Sequence, residues 1–70
     1  MEKEEFLKRL LKVIEHWAMH SREHAEELKN YAEKLKEVKD LSSISEELEK
    51  AAKKFEEAAE LLEGVKNELS

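Results

Sequence analysis

Asp40-Leu41-Ser42-Ser43-Ile44-Ser45-Glu46 is the stretch of this 70-residue chain that reads as a stop followed by a start. The short polar side chains of Asp40, Ser42 and Ser43 compete with the backbone for hydrogen bonds, so they suit helix ends better than helix interiors. Ser43 followed by Glu46 fits a capping box. In that arrangement the Ser43 hydroxyl accepts from the Glu46 amide, and the Glu46 carboxylate reaches back to the cap. On either side of the break nothing interrupts a helix. Proline is absent and the single glycine is Gly64, so strands and tight turns lack their usual punctuation. The chain is expected to be all-α, one helical domain over residues 1–70, with a long helix over about 2–39 and a shorter one over about 44–69. A connection this short forces the helices antiparallel and makes a helical hairpin.

Upstream of the break, apolar residues recur with a helical period from Phe6 to Val38. Leu7, Leu10, Ile14, Trp17, Ser21, His24, Leu28, Tyr31, Leu35 and Val38 take alternating core positions of a heptad. Leu11, Ala18, Ala25 and Ala32 widen the stripe. Trp17 is expected as a large core anchor and Met19 as an isolated exposed residue. Downstream, the core stripe runs through Ile44, Leu48, Ala51, Ala52, Phe55, Ala58, Ala59, Leu62, Val65 and Leu69. Stripes this broad suit a bundle in which each helix has two or more neighbours.

Counting back from the turn, Leu69 falls near Ile14, so the first helix overhangs the second by about three turns. The overhang carries Phe6, Leu7, Leu10, Leu11 and Val13, too much apolar surface to leave wet. Self-association is the expectation, most simply a two-fold dimer forming a four-helix bundle. The same Phe6–Val13 surface offers a docking place to another protein. An alternative topology breaks the first helix at Met19–Arg22, with Ser21 as a cap, and gives a three-helix bundle; no glycine or proline supports that turn.

Charged residues make up 44% of the chain, with 13 basic and 18 acidic side chains and a net charge of −5. A nucleic-acid partner needs a cationic footprint, and here the basic residues are interleaved with a larger number of acidic ones. No apolar run approaches the length needed to span a bilayer, and the charged start Met1–Glu5 does not read as a signal peptide. The cytoplasm is the expected compartment. With no cysteine, neither a disulfide nor a thiolate metal site can brace so small a core.

The chemically distinctive residues are His16, His20 and His24, which are all the histidines in the chain. Their spacing of four places them on one flank of a helix. An i,i+4 histidine pair is a standard way for a helix to present two imidazoles to one metal ion. A straight helix cannot easily bring all three to one ion, because the outer two are about 12 Å apart along the axis. His20, shared by both possible pairs, is therefore the pivotal residue. Glu23 and Glu27 lie close by on the same helix. Glu56, Glu60 and Glu63 are near in level on the second helix, and a second copy of the chain is another source of ligands. A plain structural account competes with this one: His24 and Ser21 form a polar layer that sets register, and no metal binds. His20 to His24 also matches the H-x-x-E-H pattern of inverzincin proteases, but a hairpin has little room for a third ligand and a cleft. No nucleophile triad, phosphate loop or acid/base carboxylate pair stands out, so no enzymatic activity is expected. A bis-histidine haem site is disfavoured by the alanine-rich packing.

The stretch from Leu11 to Leu28, with His16, Trp17, His20, Glu23 and His24, resembles a group of short prokaryotic helical-hairpin proteins of unknown function carrying H-W-x-x-H-N-x-E-H. Ser21 stands where those proteins have asparagine, and Tyr31-Ala32 where Trp-Ala is common. The resemblance implies metal binding without an established activity. Two functions stand as expectations. The first is a small metal-binding protein for zinc, nickel or iron in storage, delivery or sensing, using His16, His20, His24, Glu23 and Glu27; imidazole with carboxylate suits these ions, and the lack of thiolate disfavours copper(I). The second is a metal-free interaction or scaffold hairpin.

Overall fold

A computed structural model describes residues 2–69, and it is a helical hairpin. Helix α1 spans Lys3–Lys36 and α2 spans Ser42–Leu69. The hairpin is a rod of 57 × 14 × 14 Å. α1 runs without interruption through Met19–Arg22, which rules out the three-helix alternative. Nothing in Met19–Arg22 interrupts the i→i−4 ladder, so propagation wins over a new cap.

Both helix ends at the turn differ from the sequence expectation. α1 stops at Lys36 instead of near residue 39 because its last turn tightens into i→i+3 bonds. The Glu37 and Val38 amides donate to Lys34 and Leu35 carbonyls at 3.2 and 3.0 Å. Lys34 and Lys36 sit in that last turn, where positive charge complements the helix dipole. α2 begins at Ser42, two residues early, because the Leu41 carbonyl already accepts from the Ser45 amide at 3.0 Å. Ser43 therefore lies inside the first turn and not at the expected cap.

The seam between the helices is narrower than the sequence stripes, and most of its best-enclosed residues are alanines. In α1 it steps by fours and threes through Leu7, Leu11, Ile14, Ala18, Ser21, Ala25, Leu28, Ala32 and Leu35, every one buried or half-buried. The matching series is Leu41, just before α2, and then Ser45, Leu48, Ala52, Phe55, Ala59, Leu62, Lys66 and Leu69 within it. The fully enclosed members are Ile14, Ala18, Ala25, Ala32, Ala52 and Ala59, joined by Ser45 at 1% exposure. Small side chains let the helix axes approach closely, toward the short end of the usual 8–10 Å. Ser45 uses that proximity: its Oγ donates to the Ala32 carbonyl at 2.7 Å, a buried bond that ties α2 to α1 near the turn.

The residues expected in the core at Trp17, His24, Tyr31 and Val38 are instead exposed, Trp17 by 51% and Tyr31 by 61%. A two-helix seam has room for one row of large residues at most. The alanine row takes the position next to α2, and the aromatic row is turned about one step aside.

The two long sides of the hairpin are consequently unlike. On one, ion pairs join the helices at regular intervals: Arg22 with Glu63, Lys29 with Glu56 at 2.8 Å, and Lys36 with Glu49 at 2.9 Å. Each partner advances by seven residues, up α1 and down α2, as an antiparallel pair demands. The other side carries Phe6, Val13, Trp17 and Tyr31 from α1 and Ile44, Phe55, Leu61 and Val65 from α2, all more than a third exposed. Among the described residues, the two remaining large apolar side chains of comparable exposure are Met19, on the ion-paired side, and Val38, in the turn.

Candidate functional site

The three histidines lie on the apolar side, midway along α1. Helical rotation carries His24 nearest the seam, His20 farther out and His16 farthest, and all three are exposed. Their rings follow one another closely. The His16 and His20 ring centroids are 5.2 Å apart, and those of His20 and His24 are 4.8 Å apart, with interplanar angles of 37° and 46°. Two imidazoles on one tetrahedral zinc, with Zn–N near 2.0–2.1 Å, set their centroids about 5 Å apart. Both neighbouring pairs have that spacing without any change of backbone.

His24 has a partner on the second helix. Its ring centroid is 5.3 Å from that of Phe55, tilted by 37°. This contact braces His24 against α2. Phe55 was expected in the core and lies at the margin of the seam, 37% exposed. Its role beside His24 depends on the register between helices, which spacing within either helix does not reveal.

Of the expected carboxylates, Glu23 and Glu27 are exposed. Each follows a histidine by three residues, Glu23 after His20 and Glu27 after His24. Glu56 and Glu63 belong to the opposite side, where they hold Lys29 and Arg22. Glu60, one helical step from both, is on that side too. Among the described residues no three or more histidine, aspartate or glutamate side chains are gathered so as to hold one ion. One chain thus offers paired imidazoles, with His20 common to both pairs, and not a closed ligand shell.

A surface concavity lies elsewhere. It is bounded by Lys29, Glu33, Lys36, Glu46, Glu49, Lys50, Lys53 and Glu56. It is an open cleft between opposite charges on the ion-paired side and does not touch the histidines. Within it, the hydrogen bond to Glu56 raises the Lys29 pKa above its ordinary 10.5, and Glu49 does the same for Lys36. These carboxylates keep the ammonium groups charged, and the cleft is spent on pairing the helices. No helix among the described residues is long and apolar enough to cross a membrane.

A family model matches residues 10–69, and its description is Domain of unknown function (DUF8180). No curated protein and no solved structure matches the chain.

Proposed function

The chain belongs to this family of unknown function, and we propose that it is a small metal-binding protein that takes zinc, nickel or iron on its histidine flank. The observation that carries this proposal is the ring spacing of about 5 Å at both histidine pairs, in an exposed position where an ion can arrive. His20 is the ligand common to both pairs. His24, held by Phe55, is its better-positioned neighbour. His16 and the carboxylates of Glu23 and Glu27 are the remaining donors within the same flank. Imidazole and carboxylate together suit borderline divalent ions. The resemblance of the stretch from His16 to His24 to short helical hairpins of unknown function, which implies metal binding, points the same way. Storage, delivery or sensing fits a site with open coordination positions better than a structural role, for which a closed shell is the rule.

Titration of the metal-free protein with Zn²⁺ and Ni²⁺ by calorimetry tests this. Binding tighter than about 0.1 mM that is weakened at least about tenfold by His20→Ala is expected. Weaker binding, or binding indifferent to His20→Ala, overturns it.

A second function, an interaction hairpin with no metal, is favoured by a separate observation: the row of exposed apolar residues from Phe6 to Tyr31. It predicts that replacing Phe6 and Val13 by serine abolishes assembly while chelators change nothing.

A further inference from the structure

The histidine pair is incomplete in one chain, and the apolar side around it is uncovered. We infer that one occupant answers both: a second copy of this chain, packed on this side about a two-fold axis, so that His20 faces the partner's His24 and four imidazoles meet between the copies. The metal half of this inference rests on the function proposed above; the pairing itself does not.

The geometry of α1 points to this axis. On the exposed flank, Phe6, Leu10, Val13, Trp17, His20, His24, Glu27 and Tyr31 advance by fours and threes. That is a second seam spacing, beside the one already filled by α2. α1 spans Lys3–Lys36, so its midpoint falls between Met19 and His20. Two antiparallel copies that overlap along most of the helix must cross near that midpoint, which is at the histidines. With the axis midway between His20 and His24, Val13 comes level with the partner's Tyr31 and Trp17 with the partner's Glu27. The N-terminal half of each α1 then lies over the turn-end half of the other.

Charge and area agree with a second copy. On the outer rim, Arg9 comes within two residues, about 3 Å, of the level of the partner's Glu37, an opposite-charge match. Glu23 comes within two residues, about 3 Å, of the level of the partner's Glu23 beside the four imidazoles, a like-charge pair that a divalent cation between the copies would neutralise. The eight exposed apolar side chains of this side, at on the order of 100 Å² each, offer about 800 Å² per copy. That is the scale of a stable interface. The opposite side is crossed by ion pairs within the chain, Arg22–Glu63, Lys29–Glu56 and Lys36–Glu49.

Disulfide trapping tests the pairing. The chain has no cysteine, and Val13 and Tyr31 are about 27 Å apart along one helix, far beyond the reach of a disulfide. A Val13→Cys/Tyr31→Cys variant, mildly oxidised in chelator, should convert mostly to covalent dimer, whereas Val13→Cys alone should not. Native mass spectrometry of the untrapped protein with zinc should then show one ion per two chains. Equal trapping of the single and double variants, or a monomer binding one zinc per chain, overturns the inference; the second result leaves metal binding standing. A specifically trapped dimer that takes up no zinc upholds the pairing and removes the metal function.

Discussion

The two long sides of this hairpin solve the same problem in different ways. Along one, Arg22, Lys29 and Lys36 reach across to Glu63, Glu56 and Glu49, and each charge is answered within the chain. Along the other, Trp17, Tyr31, Ile44 and Val65 stand exposed around three histidines. The difference shows where a 70-residue, cysteine-free chain keeps its reserves. An alanine seam brings two helices together but buries little apolar area, and surface ion pairs add little stability. The aromatic side chains Phe6, Trp17, Tyr31 and Phe55 are held on the side that faces outward. That side is where binding energy is available.

The largest expected effect comes from spoiling the exposed side at its centre. Trp17→Glu puts a carboxylate among the apolar residues and should weaken self-association by about a hundredfold, as loss of a tryptophan anchor typically does. Sedimentation velocity over a dilution series reads this directly. Met19→Glu, the matching change on the ion-paired side, should leave association unchanged. Equal effects of the two would erase the distinction between the sides.

Between the sides, Ser45→Ala removes the bond from Ser45 to the Ala32 carbonyl while leaving the seam apolar. It should cost about 1 kcal/mol of unfolding free energy, seen as a lower urea midpoint with an unchanged slope. Ser45→Val should cost more, since a larger side chain at 1% exposure has to separate the helices. An unchanged midpoint in both variants would mean that the seam near the turn is loose.

Gly64 sharpens the comparison from outside it. It is exposed in α2, and a Cβ there would meet nothing within 4 Å. Gly64→Ala should raise stability by about 0.5–1 kcal/mol without altering assembly or metal uptake. A change in assembly would show that the outer face of α2 is also in use.

The smallest effect belongs to the ion-paired side itself. Lys29 and Lys36 have pKa values raised above 10.5, chiefly by their hydrogen bonds to Glu56 and Glu49. A raised lysine pKa means that the folded state holds its proton more tightly than the unfolded state. Its contribution is therefore fully present below pH 10.5 and is lost as pH rises through the folded-state value. Both groups are solvent-exposed, so the loss is slight: a small fall in melting temperature above about pH 10.5, flattened by Glu56→Gln.

The hairpin was legible in the sequence because helical period, the absence of proline and the polar break at Asp40–Ser43 all act locally. The choice of seam was not. The Leu11-Ala18-Ala25-Ala32 row and the Leu10-Trp17-His24-Tyr31 row flank the same Leu7-Ile14-Ser21-Leu28-Leu35 row, and both keep a heptad. Only side-chain size decides between them, because alanine permits close approach and tryptophan does not. The histidine pairs were legible for a similar reason, since i,i+4 spacing alone brings the rings together. Phe55 against His24 and Ser45 against Ala32 require the register between helices, which follows from the seam. Once the four-three spacing through Leu41, Ser45, Leu48 and Ala52 is recognised, both contacts become readable.

The most direct test that the histidine side is completed by a second molecule uses the single tryptophan as its own reporter. Trp17 is 51% exposed in the lone hairpin, so its emission records whether that side is covered. The fluorescence spectrum is followed in chelator as the protein is diluted from high micromolar to nanomolar concentration. Covered Trp17 should emit to the blue at high concentration and shift to the red on dilution, with the shift absent in a covalently trapped dimer. Emission at the solvent-exposed wavelength throughout, independent of concentration, would contradict the account.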